Sequence, residues 1–205
     1  MTVTWHVDDL KVSHVESIEV TKFILSMAKI YGPNITVSRG PVHDYLGMDL
    51  DYSEHGNVKI SMIKYIEKIF ASFPEVIKSI RDTPAADHLF QVRDDDSKLL
   101  PEEQAQAFHH TVAQLLFLCM RARPDIQTAV SFLTKRVQKP DEDDWGKLKR
   151  VLQYLKGTKY MKLTLSVDNL STIWWWVDAS YGVHSDCKGH TGMMMSLGKA
   201  PGDTN

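Results

Sequence analysis

A chain of 205 residues, 43% hydrophobic and 24% charged with a formal net charge of −2, has the composition of a folded protein and the length of one large domain or two small ones. That excludes a disordered chain, and strictly apolar runs such as Ile173-Trp174-Trp175-Trp176-Val177 are far too short to cross a bilayer. No charged-then-apolar leader opens the chain and two cysteines, Cys119 and Cys187, cannot build a disulfide framework, so a reduced, intracellular setting with no membrane partner is expected.

The opening MTVTWHVDDLKVSH alternates: Val3, Trp5 and Val7 project to one side, Thr2, Thr4 and His6 to the other, and Leu10 and Val12 resume the pattern after two aspartates. This predicts a half-buried hairpin. A two-residue hairpin loop prefers Asn-Gly or Asp-Gly because its central residues often need positive φ, so Asp8-Asp9 is a poor choice on structural grounds. Ile18, Phe23, Ile24, Met27, Ile30 and Tyr31 then recur at helical spacing until Gly32-Pro33 ends the pattern. NITVSRG, YLGMDLDYS and NVKISM are β-rich, the last two joined by a short loop at Glu54-His55-Gly56. A second helix carries Ile63, Ile66, Phe70 and Phe73 on one face and stops at Pro74. Hairpins with few βαβ signals predict an antiparallel α+β arrangement.

The stretch TPAADHLFQVRDDDSKLLPEE is polar, proline-bearing and aperiodic, and reads as a linker or irregular crossing segment over 82–104. Three helices follow within 105–162, marked by Phe108, Val112, Leu115, Leu116 and Cys119, then Ile126, Ala129, Val130, Leu133 and Val137, then Trp145, Leu148, Val151, Leu152 and Leu155. They predict a compact helical subdomain. From 163 to 205 the strands LTLSVD, TIWWWVDAS and TGMMMSLG return without helices to cover them, so this unit reads as cut off. Alternation sends Trp174 and Trp176 to one face and Trp175 to the other, which core packing and a subdomain contact would satisfy, and Met193-Met194-Met195 reads as core filling.

The near-zero net charge hides a segregation. Asp82 to Glu103 holds seven acidic residues against Arg93 and Lys98, whereas Arg121 to Lys162 holds eleven basic residues against five acidic ones. The basic block reads either as a solvated helical face or as a nucleic-acid footprint. The adjacent carboxylates of Asp8 and Asp9 repel by about 1 to 4 kcal/mol, depending on local dielectric. A hard cation such as Mg²⁺, held by one or two carboxylates with phosphate oxygens and water, removes that penalty; a plain polar turn is the alternative. His184, Asp186, Cys187 and His190 match no zinc module and read as a loop, and His109-His110 as a surface or capping feature.

Val7-Asp8-Asp9 between two strands resembles the Tyr-Val-Asp-Asp hairpin of reverse transcriptase palm domains, with His6 in place of the tyrosine. YLGMDLDYSEHGNVKISM is similar to the glycine-containing hairpin by which that family grips the primer. RARPDIQTAVSFLTKRVQKP followed by WGKLKRVLQYLKGT is similar to the thumb of copia-type LTR retrotransposon polymerases, and WWVDASYG to the first strand of the ribonuclease H domain that follows it. The likeness spans nearly the whole chain. Its most specific part is Arg-Pro-Asp-Ile combined with Leu-x-Tyr-Leu-Lys-Gly-Thr.

The resemblance implies the C-terminal part of a palm over 1–81, a connecting segment over 82–104, a thumb-like subdomain over 105–162 and an incomplete ribonuclease H-like sheet over 163–205. It implies an RNA-directed DNA polymerase with ribonuclease H, Mg²⁺ as cofactor and an RNA/DNA template-primer as partner. Asp8 becomes a direct metal ligand, Asp9 its partner, and Asp178 the metal-binding carboxylate of the second centre. Tyr45, Gly47, Lys135, Arg136, Lys147, Lys149 and Arg150 become nucleic-acid contacts. In this family a third polymerase carboxylate lies upstream of the hairpin, and further ribonuclease H carboxylates follow the first strand. The expectation is therefore a fragment or degenerate copy, inactive without its missing upstream palm and fingers segment. A non-catalytic nucleic-acid-binding remnant or a decayed structural relic is the alternative.

Overall fold

A computed structural model describes residues 1–92, 98–167, 169–182, 187 and 189–197. The class is α+β with antiparallel pairing, as expected. Strands β1 (Thr2–His6) and β2 (Asp9–Ser13) pair from Thr2↔Ser13 to His6↔Asp9, which sets Val3 beside Val12 and Trp5 beside Leu10 on one face. Helix α1 (Ser17–Tyr31) follows and runs into a 3-10 turn at Gly32–Asn34. The expected half-burial of the hairpin is overturned. Every residue of β1 is exposed and α1 buries none, because among the described residues no other layer covers their apolar faces.

The core lies in the next elements. Strands β3 (Val42–Tyr45), β4 (Met48–Asp51) and β5 (Asn57–Ser61) are joined in the sheet by β6 (Leu163–Ser166), in the order β3-β4-β5-β6. Helices α2 (Ile63–Ser72), α3 (Glu102–Cys119), α4 (Gln127–Thr134) and α5 (Glu142–Gly157) complete this body. Leu50, Ile60 and Met62 from the sheet side share one buried cluster with Ile66, Ile69, Phe108, Leu115, Leu133, Leu148 and Leu152. Burying each such side chain contributes about 1.5–3 kcal/mol, so this body carries most of the stability. The helical subdomain shares its core with the sheet rather than standing apart.

Three expectations are corrected. NITVSRG forms no strand, since no strand of the sheet pairs with it. Leu163–Ser166 pairs with β5, from Ile60↔Leu163 to Asn57↔Ser166, and not with the strands that follow it. Those strands, β7 (Ile173–Ser180) and β8 (His190–Leu197), form their own two-stranded sheet. Its tryptophans do alternate as read, with Trp174 and Trp176 stacked at 6.3 Å between ring centroids. They are not core, however: Trp175 is 53% and Met193 65% exposed, because two strands offer no second layer to bury against.

The irregular segment before α3 is packed as far as Val92. Leu89 is buried, while Ala85, Phe90 and Val92 lie against the same core. Helix α5 starts on a capping box in which the Asp141 carboxylate accepts from the Asp144 N–H at 2.8 Å and the Asp144 carboxylate from the Asp141 N–H at 3.2 Å.

Candidate functional site

The first hairpin turns on Val7 and Asp8, not on the two aspartates: His6↔Asp9 is the closing pair, and Asp9 already belongs to β2. Val7 has φ 53, an unfavourable conformation for a β-branched residue, while Asp8 is not in the positive-φ region. A positive φ at the first loop position only is the pattern of a type II′ turn, which normally carries glycine there. The Trp5 indole Nε1 donates to the Val7 carbonyl at 2.5 Å across this turn. Asp8 and Asp9 are both exposed, and among the described residues neither carboxylate has a hydrogen-bond or ion-pair partner. The hairpin is tied to the sheet through Lys11, whose Nζ lies 5.2 Å above the Tyr52 ring, itself edge-on to His43 at 6.2 Å.

The second hairpin is built differently. Tyr45↔Met48 closes a loop of Leu46 and Gly47, with φ 55 and 75, the double positive φ of a type I′ turn. Gly47 is exposed at its tip. Tyr45 packs against the core, where its hydroxyl is buried without a partner. Asp178 sits in β7 opposite Gly192 and is exposed. Among the described residues, no three or more His, Cys, Asp or Glu side chains converge on a metal-sized site. Asp8 and Asp9 are thus a partial donor set, able to dock a hydrated Mg²⁺ but too few to fix its geometry alone. His184 and Asp186 lie outside the described residues; Cys187 and the His109-His110 pair are exposed.

The expected phosphate-contacting residues are mostly engaged within the protein. Arg136 Nε donates to both Asp144 carboxylate oxygens at 3.2 and 2.9 Å, and its Nη2 stands 3.8 Å from Asp141. Lys147 is buried, with its ammonium 3.0 Å from Asp143, bonded to the Gln91 carbonyl and 4.6 Å above the Phe132 ring. Lys149 pairs with Glu75 at 2.6 Å, and that hydrogen bond, with burial opposing it, holds the Glu75 carboxyl below its ordinary range. Arg150 donates to the Thr83 hydroxyl at 2.8 Å. Lys135 is exposed just after α4. The basic face of α5 is in large part a seam that fastens residues 75–91 to the helices.

Sequence reasoning singled out two motifs without seeing that they touch. Arg123, only 2% exposed, forks its Nε and Nη2 onto the Asp125 carboxylate at 2.9 and 2.7 Å. The same guanidinium donates to the Thr158 carbonyl at 3.0 Å and hydroxyl at 2.6 Å, and the Tyr154 hydroxyl donates to Asp125 at 2.8 Å. Burial pushes the Asp125 carboxyl up, but the Arg123 and Tyr154 hydrogen bonds prevail and hold it below 3.8. Burial, then the Asp125 hydrogen bond, raises the Tyr154 phenol. The signal was present: an arginine two residues before an aspartate, and a Tyr-x-x-x-Thr ending, are each the ends of one buried network. Lys11, Trp5 and Tyr52 carried no comparable signal.

No protein-family model and no solved structure matches the chain. Among curated proteins it is 27% identical over 194 residues to a transposon Ty5-1 protein of Saccharomyces cerevisiae, covering 94% of this chain and 60% of that protein. It is 29% identical over 124 residues to the retrovirus-related Pol polyprotein from transposon TNT 1-94 of Nicotiana tabacum, covering 58% of this chain and 9% of the polyprotein. Over 91 residues, 44% of this chain, it is 34% identical to the retrovirus-related Pol polyprotein from transposon RE2 of Arabidopsis thaliana, of which it spans 6%. The chain is a relative, at modest identity, of transposon proteins and Pol polyproteins of the copia type.

Proposed function

We propose that the chain is part of an RNA-directed DNA polymerase: the C-terminal palm, its thumb, and the opening strands of a ribonuclease H-like unit. The observation that carries this reading is the hairpin itself, which exposes Asp8 and Asp9 side by side with no protein partner among the described residues. Two carboxylates kept free and close gain most from a divalent cation that neutralises them. In this reading Asp8 is the direct ligand, Asp9 its partner, and Asp178 serves the second centre. When bound, Mg²⁺ supplies activation of the primer hydroxyl and charge stabilisation in phosphoryl transfer. The chain's own residues bind and orient: Gly47 brings exposed backbone to the primer beside Tyr45, and phosphate contacts come from Lys135 and from Lys149 and Arg150, which exchange Glu75 and Thr83 for phosphate. Arg136 and Lys147 act within the fold instead.

The test is to complement the chain with an upstream palm and fingers segment of a related polyprotein and measure Mg²⁺-dependent primer extension on an RNA template. Extension that disappears with Asp8→Ala supports the reading; extension indifferent to it overturns the assignment. A steeply salt-dependent affinity for an RNA/DNA hybrid, insensitive to Mg²⁺ and to Asp8→Ala, would instead mark a binding module without catalysis.

A further inference from the structure

The first hairpin holds its aspartates on a turn that its own loop residues do not favour. Neither Val7 nor Asp8 is glycine, yet Val7 is at φ 53. Types II′ and I′ share that positive φ at the first loop position and differ by rotation of the central peptide, the one between the two loop residues. In type I′ the second residue also has positive φ; in type II′ it does not. The chain contains both outcomes, type I′ at Leu46-Gly47 and the type II′ pattern at Val7-Asp8. The central peptide of the first turn carries the Val7 carbonyl, and that carbonyl accepts the Trp5 indole N–H at 2.5 Å.

Trp5 has little else to do. It is 75% exposed and outside the buried core, and its neighbour across the strands, Leu10, is exposed as well. A large apolar ring left in water gains little by burial there, so its N–H is the group the structure uses.

We propose that Trp5 is a positioning residue: its indole N–H pins the central peptide of the Val7-Asp8 turn, keeps Asp8 out of the positive-φ conformer, and so fixes which way the Val7 carbonyl and the Asp8 N–H point at the tip. The claim about the turn stands on these contacts alone; its consequence for cation binding rests on the polymerase reading above. Rotating the peptide would reverse that carbonyl and that N–H while leaving Asp9, already paired with His6 in β2, in place. Trp5 therefore acts on the backbone that carries Asp8 and not on Asp9.

The experiment uses the whole chain, isotopically labelled, as wild type, Trp5→Phe, Val7→Gly and the double variant. The backbone HN–Hα coupling and chemical shifts of Asp8 report the turn conformer, and paramagnetic broadening by Mn²⁺ reports cation binding. Trp5→Phe keeps the ring and removes the donor. It is expected to populate a second, positive-φ conformer of Asp8, shifting the conformer ratio about three- to tenfold, the effect of one hydrogen bond. Glycine at the first loop position selects type II′ without help, so the same substitution in the Val7→Gly background should leave Asp8 unchanged. Melting of the core should not move in any of the four proteins. An Asp8 coupling identical in wild type and Trp5→Phe overturns the proposal. The Mn²⁺ arm judges the polymerase reading separately: broadening centred on Asp8 and Asp9 supports it, and broadening at neither overturns the cation assignment whatever the coupling shows.

Discussion

Arg123 and Thr158 stand 35 positions apart, and one guanidinium joins them by donating to both the backbone carbonyl and the hydroxyl of the threonine. The 3-10 turn Pro124–Ile126 is thereby locked onto the end of α5, with Asp125 and Tyr154 completing the network. Removing Arg123 leaves buried acceptors and the Asp125 charge uncompensated. Arg123→Ala is expected to cost about 3–5 kcal/mol, and Thr158→Val about 1 kcal/mol, in urea unfolding followed by far-UV circular dichroism. A loss below 1 kcal/mol for Arg123→Ala would show that the network is incidental.

The acid side of the stability curve should carry two opposite signatures. Asp125 has a folded pKa below 3.8, so its contribution is complete above that value and is lost as pH falls through the lower, folded one. Asp144 has a folded pKa above 3.8, raised chiefly by burial, so its protonation favours the fold as pH falls through that raised value. Melting temperatures across the acid range, compared for wild type and Asp125→Asn, should show a shallower loss below pH 3.8 in the variant.

Arg136 and Lys147 are expected to matter for stability more than for nucleic-acid affinity. Arg136→Gln breaks a half-buried ion pair with Asp144, and Lys147→Met exchanges a buried ammonium for an apolar side chain of similar reach. Arg136→Gln should cost about 1–3 kcal/mol, since it leaves Asp144 underpaired, with hybrid affinity by fluorescence anisotropy unchanged. Lys149→Ala and Arg150→Ala should weaken that affinity and flatten its salt dependence.

Cys119 and Cys187 should react with alkylating reagents at very different rates. Burial raises the Cys119 thiol to about 11, whereas Cys187 is exposed. At pH 8, Cys187 is expected to label first and Cys119 only on unfolding. Equal rates in the folded protein would contradict the burial of Cys119.

Leu46→Asn should stabilise the second hairpin. Leucine at φ 55 bears a steric cost that asparagine tolerates better, and Asn-Gly is the preferred type I′ pair. A gain of up to about 1 kcal/mol is expected in chemical denaturation.

Helices were readable because their apolar residues recur at 3.6 spacing with prolines between them; Phe108, Leu133 and Leu152 all fall in the core as that spacing requires. Strand β3 was obscured because Val42-His43-Asp44-Tyr45 has too little apolar alternation to stand out from the turn that follows. NITVSRG shows the converse: β propensity without a partner strand makes no sheet. The basic block hides a second use of its charges. Counting charges does not reveal that Asp143, Asp144 and Glu75 already hold Lys147, Arg136 and Lys149. At the first hairpin the alternation and the bend were legible, but the loop residues were not. A one-residue shift of the turn onto Val7-Asp8 depends on the His6↔Asp9 pairing, which no local pattern encodes.

The bond from Ser166 to Asn57 spans 109 positions and closes the edge where β6 meets β5. A ribosome must therefore release all four helices of the body before that edge can be zipped, so β5 waits half-paired throughout their synthesis. Closing so long a loop carries an entropic cost, and β6 is the last strand of this sheet to be made. Until it arrives, β5 is a bare ladder of amides on which a neighbouring chain could seed a mispaired aggregate.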